Sequence, residues 1–61
     1  MYSKYAELRD KRGVRDIEVS RATGISPSTL SDWKQGHYTP KSDKIKKLAD
    51  YFGVSIEELL K

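Results

Sequence analysis

The run Gly24-Ile25-Ser26-Pro27 constrains this chain more than any other feature. Glycine takes a left-handed backbone at little cost, a serine hydroxyl caps a helix start, and proline is favoured at the first helical position. One helix therefore ends at Gly24 and another begins at Ser26, so the stretch from Val14 to Gly36 reads as two short helices joined by a sharp turn. The second of them is expected to run from Ser26 to about Gln35, with Gly36 as its stop. On a 3.6-residue period Leu30 and Trp33 fall on one side, near Ile25. Pro27, Ser28, Ser31, Asp32 and Gln35 fall on the other, at i, i+1, i+4, i+5 and i+8. This outer stripe is short, mostly uncharged and rich in hydrogen-bonding groups. Such a face can be pressed closely against another surface, and a major groove is wide enough to admit it. An ordinary solvated helix face is the alternative.

Sixty-one residues are read as a single domain, 1–61, with a modest core and no room for a deep substrate pocket. The absence of cysteine removes disulfides and thiolate metal sites and suits a reducing, intracellular setting. No apolar run approaches the ~20 residues that span a bilayer, and Met1-Tyr2-Ser3-Lys4 does not open a signal peptide. A cytoplasmic location is expected. Twelve Lys and Arg against nine Asp and Glu give a formal charge of +3 and tilt the chain mildly toward polyanionic partners. Hairpin signals and sustained alternation are both missing, so the fold class is all-α.

In chain order, a first helix from about Ser3 to Arg12 should turn Tyr5, Leu8 and Arg12 to one side, with Ala6 beside them. Lys4, Glu7, Asp10 and Lys11 should face water, Glu7 and Lys11 forming an i, i+4 pair of only ~0.3 to 0.5 kcal/mol. Gly13 ends this helix. The second, from Arg15 or Asp16 to Thr23, should bury Val19 and Thr23, while Ser20 and Ala22 are small enough to let another helix approach. His37-Tyr38-Thr39-Pro40-Lys41 is a loop by its proline and its lack of a period. Its histidine has no partner for catalysis or metal binding. Ile45, Leu48, Ala49 and Phe52 make the strongest helical pattern, a core face on a fourth helix that opens near Lys41 or Ser42 and stops at Gly53. Lys44 is the lysine of this helix nearest the loop. Ser55 and Glu58 have the spacing of a capping box, with Val54 and Leu59 as a hydrophobic staple, so a fifth helix begins there. Ile56, Leu59 and Leu60 leave three large apolar residues on two turns, as core cover, a self-association surface or a junction to further chain.

Three blocks in this order give the chain a resemblance to the lambda-repressor-like helix-turn-helix domains, the Cro and xenobiotic-response-element type of bacterial and phage regulators. They are Leu8-Arg9 with Gly13-Val14; Gly24-Ile25-Ser26 through Ser28-Thr29-Leu30-Ser31 to Trp33 and Gly36; and Pro40 through Leu48-Ala49 to the ending Phe52-Gly53-Val54-Ser55-Ile56-Glu57-Glu58-Leu59-Leu60. The resemblance spans about Tyr5 to Leu60. It implies a compact five-helix bundle, with the helix-turn-helix at about 15–35 and its third helix in the major groove of double-stranded DNA. By that mapping Pro27, Ser28, Ser31 and Asp32 stand where the family reads base edges. Arg15, Gln35, His37, Tyr38 and Lys41 stand where it grips the sugar-phosphate backbone, carrying affinity and register, and Thr29 stands near the phosphates or the first base; Lys44, nearest the loop, joins them as a phosphate candidate by its place in the chain.

The chain also departs from the family. Asp16 replaces the usual glutamine at the start of the second helix and puts a carboxylate where a phosphate is expected. Lys34 replaces a frequent glutamate that pairs with an arginine of the first helix, leaving Arg9 facing Lys34. Nothing in the outer stripe can make the arginine-to-guanine fork; Asp32 can only accept, for instance from a cytosine amino group, and Pro27 can meet thymine methyls. The resulting expectation is a sequence-specific DNA-binding regulator, a repressor module acting as a homodimer on a two-fold operator, with no cofactor, small-molecule ligand or membrane partner. A helix-turn-helix used for protein contacts, antitoxin-like or anti-repressor, is the competing reading. Catalysis is the weakest, because no catalytic pair, phosphate loop or metal cluster is spaced for it.

Overall fold

A computed structural model describes all residues, Met1–Lys61, and contains five helices: α1 (Tyr2–Arg12), α2 (Asp16–Thr23), α3 (Pro27–Lys34), α4 (Ser42–Phe52) and α5 (Ile56–Leu60). The all-α expectation holds, and each helix lies within a residue or two of its expected bounds.

Local chemistry sets those bounds. Arg15 is extended, and its backbone N–H donates to the Glu18 carboxylate at 2.7 Å, so the first turn of α2 is tied to the residue that precedes it. Gly24 closes α2 with φ of 76°, a conformation that costs an L side chain ~1 to 2 kcal/mol. Two residues later the Ser26 hydroxyl accepts the Thr29 amide at 3.2 Å and Pro27 occupies the first helical position of α3. The turn is therefore specified on both of its sides.

The interior is one cluster drawn from every helix: Tyr5, Val19, Ile25, Leu30, Trp33, Ile45, Leu48, Ala49 and Leu59. Burying each of its large aliphatic side chains contributes roughly 1.5 to 3 kcal/mol, and α4 supplies three of the nine residues, Ile45, Leu48 and Ala49, while Phe52, the fourth of its expected core face, is half-buried against them. Thr23 is buried too, and it is satisfied. Its hydroxyl donates to the Val19 carbonyl at 2.7 Å and accepts the Ile25 amide at 3.4 Å, binding the end of α2 to the turn. On α5 Leu59 is fully buried, while Ile56 and Leu60 are exposed.

Five expectations about side chains need correction. Lys4 is not a solvated lysine: its Nζ lies 3.2 Å from Glu58 and 3.7 Å from Glu7, joining α1 to α5. Glu7 is thereby drawn back to Lys4, in place of the expected partner Lys11. Glu58 in turn is shared between Lys4 and Lys61, so Ser55 receives the Glu58 amide at 3.1 Å without the reciprocal bond of a full capping box. Arg12 is exposed; its guanidinium stacks over Tyr51 at 5.0 Å and donates to the Tyr51 carbonyl. Ala22 is also exposed, and α2 packs on α3 and α4 through Val19 and Thr23 with Ser20 half-buried.

Candidate nucleic-acid interface

Leu30 and Trp33 hold α3 from behind. Trp33 is buried, with its ring 5.2 Å from that of Tyr5 and 5.3 Å, edge-on, from that of Tyr2. Aromatic contacts of this kind add ~0.5 to 1.5 kcal/mol each beyond area burial. Tyr2, which sequence spacing left unassigned, therefore forms part of the support of α3.

With that side fixed, the opposite one is displayed. Pro27, Ser28, Ser31, Asp32 and Gln35 are all exposed, as their spacing predicted, and Thr29 is half-buried. Their hydrogen bonds are local. The Thr29 hydroxyl lies 2.8 Å from that of Ser26, and Gln35 Nε2 donates to the Ser31 hydroxyl at 3.3 Å. Ser28 and Asp32 make no side-chain bond and leave their polar atoms open to a partner.

The cations assigned to phosphate contact flank this stripe in the chain. Arg15 caps the start of α2, Lys41 caps the start of α4, and both are exposed; Lys44 is half-buried one turn further on. None of the three enters an ion pair. In the intervening loop the His37 amide donates to the Asp32 carbonyl at 2.9 Å, which ties the loop to the end of α3, and His37 itself is exposed while Tyr38 is half-buried. Pro40 is buried and anchors the loop at its far end.

Asp16 behaves differently from the carboxylate facing a phosphate that its position suggested. Its Oδ1 accepts the Tyr5 hydroxyl at 2.6 Å and Arg9 Nη1 at 3.0 Å. Burial pushes the Asp16 carboxyl up, but the hydrogen bonds from Tyr5 and Arg9 outweigh it and hold the group below its ordinary value. Tyr5 is shifted the other way, its phenol raised first by burial and then by the Asp16 carboxylate. Arg9, expected to face Lys34 without a partner, has found one across the α1–α2 turn. It also donates to the Tyr2 hydroxyl at 3.3 Å and to Asp10 at 3.1 Å, and sits 5.6 Å above the Tyr5 ring. A signal for this pairing was present in the two departures taken together: an arginine lost its partner while a new acid appeared near it.

A shallow, open depression is lined by Ala22, Thr23, Lys47, Asp50 and Tyr51, no group of acids and histidines is placed to hold a metal ion, and no buried side-chain polar atom lacks a partner.

Comparison with known proteins agrees with this geometry. The helix-turn-helix family matches residues 6–59. Among curated proteins the chain is 34% identical over 58 residues to the cryptic phage CTXphi transcriptional repressor RstR of Vibrio cholerae, covering 95% of this chain and 52% of that protein. It is 35% identical over 54 residues to the HTH-type transcriptional regulator DdrOP3 of Deinococcus deserti, covering 88% of this chain and 42% of the relative. An uncharacterized HTH-type transcriptional regulator of Haemophilus influenzae is 40% identical over 42 residues. The chain thus spans about half the length, or less, of the curated relatives it matches. No solved structure matches at a significant level. From the match across nearly its whole length and the turn between α2 and α3, the chain belongs to the lambda-repressor-like helix-turn-helix family.

Proposed function

We propose that residues 1–61 form a sequence-specific DNA-binding module of a transcriptional repressor, which acts as a homodimer on a two-fold operator. One observation carries this reading: α3 displays a stripe of short polar side chains with unpaired Arg15 and Lys41 at the helix starts on either side of it in the chain. In the proposed complex α3 enters the major groove, Ser28, Ser31 and Asp32 meet base edges, and Pro27 packs on a thymine methyl. Arg15, Thr29, Gln35, His37, Tyr38, Lys41 and Lys44 hold the sugar-phosphate backbone. The regulators and the repressor named above support the assignment to transcription. A single module of this size buries only about 600 to 1,000 Å² on DNA, and pairing two of them on half-sites about one helical turn apart supplies the missing affinity.

Selection of bound duplexes from a random pool at moderate salt tests the proposal. Enrichment of two inverted half-sites is the expected result, with binding that falls steeply as salt rises. Substituting Lys41 by Ala should make the salt slope shallower by about one without changing the preferred sequence. No enrichment and negligible duplex binding would overturn the reading in favour of a protein partner. Asp16 and Asp32 are acids on the presumed DNA side, which suits a protein partner better than a polyanion, and the pairing of Asp16 with Arg9 weakens that argument.

A further inference from the structure

At the start of α2 stands a charge of the wrong sign for a helix meant to approach a phosphate backbone, and α1 reaches across to take it. Asp16 accepts the Tyr5 hydroxyl at 2.6 Å and Arg9 Nη1 at 3.0 Å. Tyr5 is fully buried and its ring lies 5.2 Å from that of Trp33 on α3. A single side chain of α1 therefore touches both helices of the helix-turn-helix, α2 through its hydroxyl and α3 through its ring. Arg9 lies above the same ring and braces the carboxylate from a second direction, held in turn by Tyr2 and Asp10. The Gly24 turn joins α2 to α3 at one end only, and the Tyr5–Asp16 bond ties the opposite end of α2 to the aromatic support of α3.

We propose that Asp16 is a positioning residue for DNA binding: joined to Tyr5 and Arg9, it fixes the N-terminus of α2, and with it Arg15, relative to the stripe on α3. This rests on the DNA-binding reading given above. Two expectations then have opposite signs. Were Asp16 merely an acid beside a polyanion, its removal would strengthen binding to every duplex. As a positioning residue, its removal frees Arg15 from its register with α3 and weakens binding to the preferred duplex, while contacts that depend on charge alone persist.

The test compares fluorescence-anisotropy titrations of the selected duplex and of a scrambled duplex of equal length, at one salt concentration. It uses the wild-type chain, Asp16→Ala, Asp16→Asn and Tyr5→Phe, each verified as folded by circular dichroism at the working temperature. Asp16→Ala and Tyr5→Phe should each weaken the selected duplex by about tenfold and leave the scrambled one within about twofold. Asp16→Asn keeps an acceptor oxygen for both donors and should recover most of the loss. Tyr5→Phe keeps the buried ring, so it remains informative if Asp16→Ala fails to fold. Tighter or unchanged binding of the selected duplex by Asp16→Ala or Tyr5→Phe overturns the proposal, as does an equal loss on both duplexes. A wild-type chain that prefers no duplex overturns the DNA-binding reading itself, which separates the two failures.

Discussion

Trp33 and Ser31 sit two residues apart on α3 in opposite surroundings. Trp33 lies among Tyr2, Tyr5 and the core, 5% exposed, whereas Ser31 stands in solvent and bonds only to Gln35 of its own helix end. The inner face supplies energy and has little freedom to change, because close-packed side chains leave no slack for a different volume. In the proposed complex the outer face supplies information and little energy. Short side chains on a base-reading helix work only when the helix beneath them does not shift, since a serine or aspartate cannot reach after a base that has moved away. On the proposed reading the two faces are one device, rigidity behind and recognition in front.

The largest effect that would break this comparison is on the inner face. Trp33→Ala should cost ~3 to 5 kcal/mol, enough to unfold most of a chain this small, and thermal melting by circular dichroism would register it. Survival of a cooperative fold near the wild-type midpoint would mean the aromatic cluster is not what seats α3. Next comes the turn. Gly24→Ala introduces a Cβ that meets nothing within 4 Å, so its cost is the left-handed φ alone, ~1 to 2 kcal/mol in a denaturant titration. A larger loss would show that the α2–α3 angle depends on more than this residue.

Acidification probes the link between α1 and the two faces. The Asp16 carboxyl is held below its ordinary value of 3.8, so the stability it contributes is present above that value and is lost as pH falls through the lower, folded-state one. Glu58 is also held below its usual value, first by Lys61 and then by Lys4, and it loses its pairs in the same direction. The wild-type chain should therefore weaken below about pH 4 more steeply than Asp16→Asn, as measured by urea unfolding across that range. Smallest in stability is the outer face: Ser28→Ala with Asp32→Ala should stay within about half a kcal/mol of wild type. The same double substitution should alter which duplexes are enriched in a selection. An unchanged preference would remove the stripe from base recognition.

Sequence periodicity made the helices legible because amphipathic spacing and glycine, serine and proline punctuation act locally. Leu30, Trp33, Ile45 and Leu48 could each be placed in the core from their neighbours in the chain alone, whereas local spacing left open which of Ile56, Leu59 and Leu60 is buried. Pairings between helices were another matter. Arg9 meets Asp16 seven residues away across a turn, and Lys4 meets Glu58 across more than fifty positions; both depend on how helices cross, which no local period encodes. Tyr2 and Tyr51 were missed for a related reason. Each packs against the rim of the core, so its partners, Trp33 for one and Arg12 for the other, come from distant turns. For the candidate interface, helical spacing placed the residues of the α3 stripe on one exposed face, while the support beneath them emerged only in three dimensions.

Trp33 is the only tryptophan in the chain, and two tyrosine rings lie within 5.3 Å of it. The rear of α3 is thus a built-in optical reporter: light absorbed by Tyr2 or Tyr5 can pass to the indole over so short a separation, and the emission reports how the helix is seated. Because the indole faces away from the displayed stripe, a change in its spectrum on adding a ligand would register motion of α3 within the bundle, separately from contact at its front.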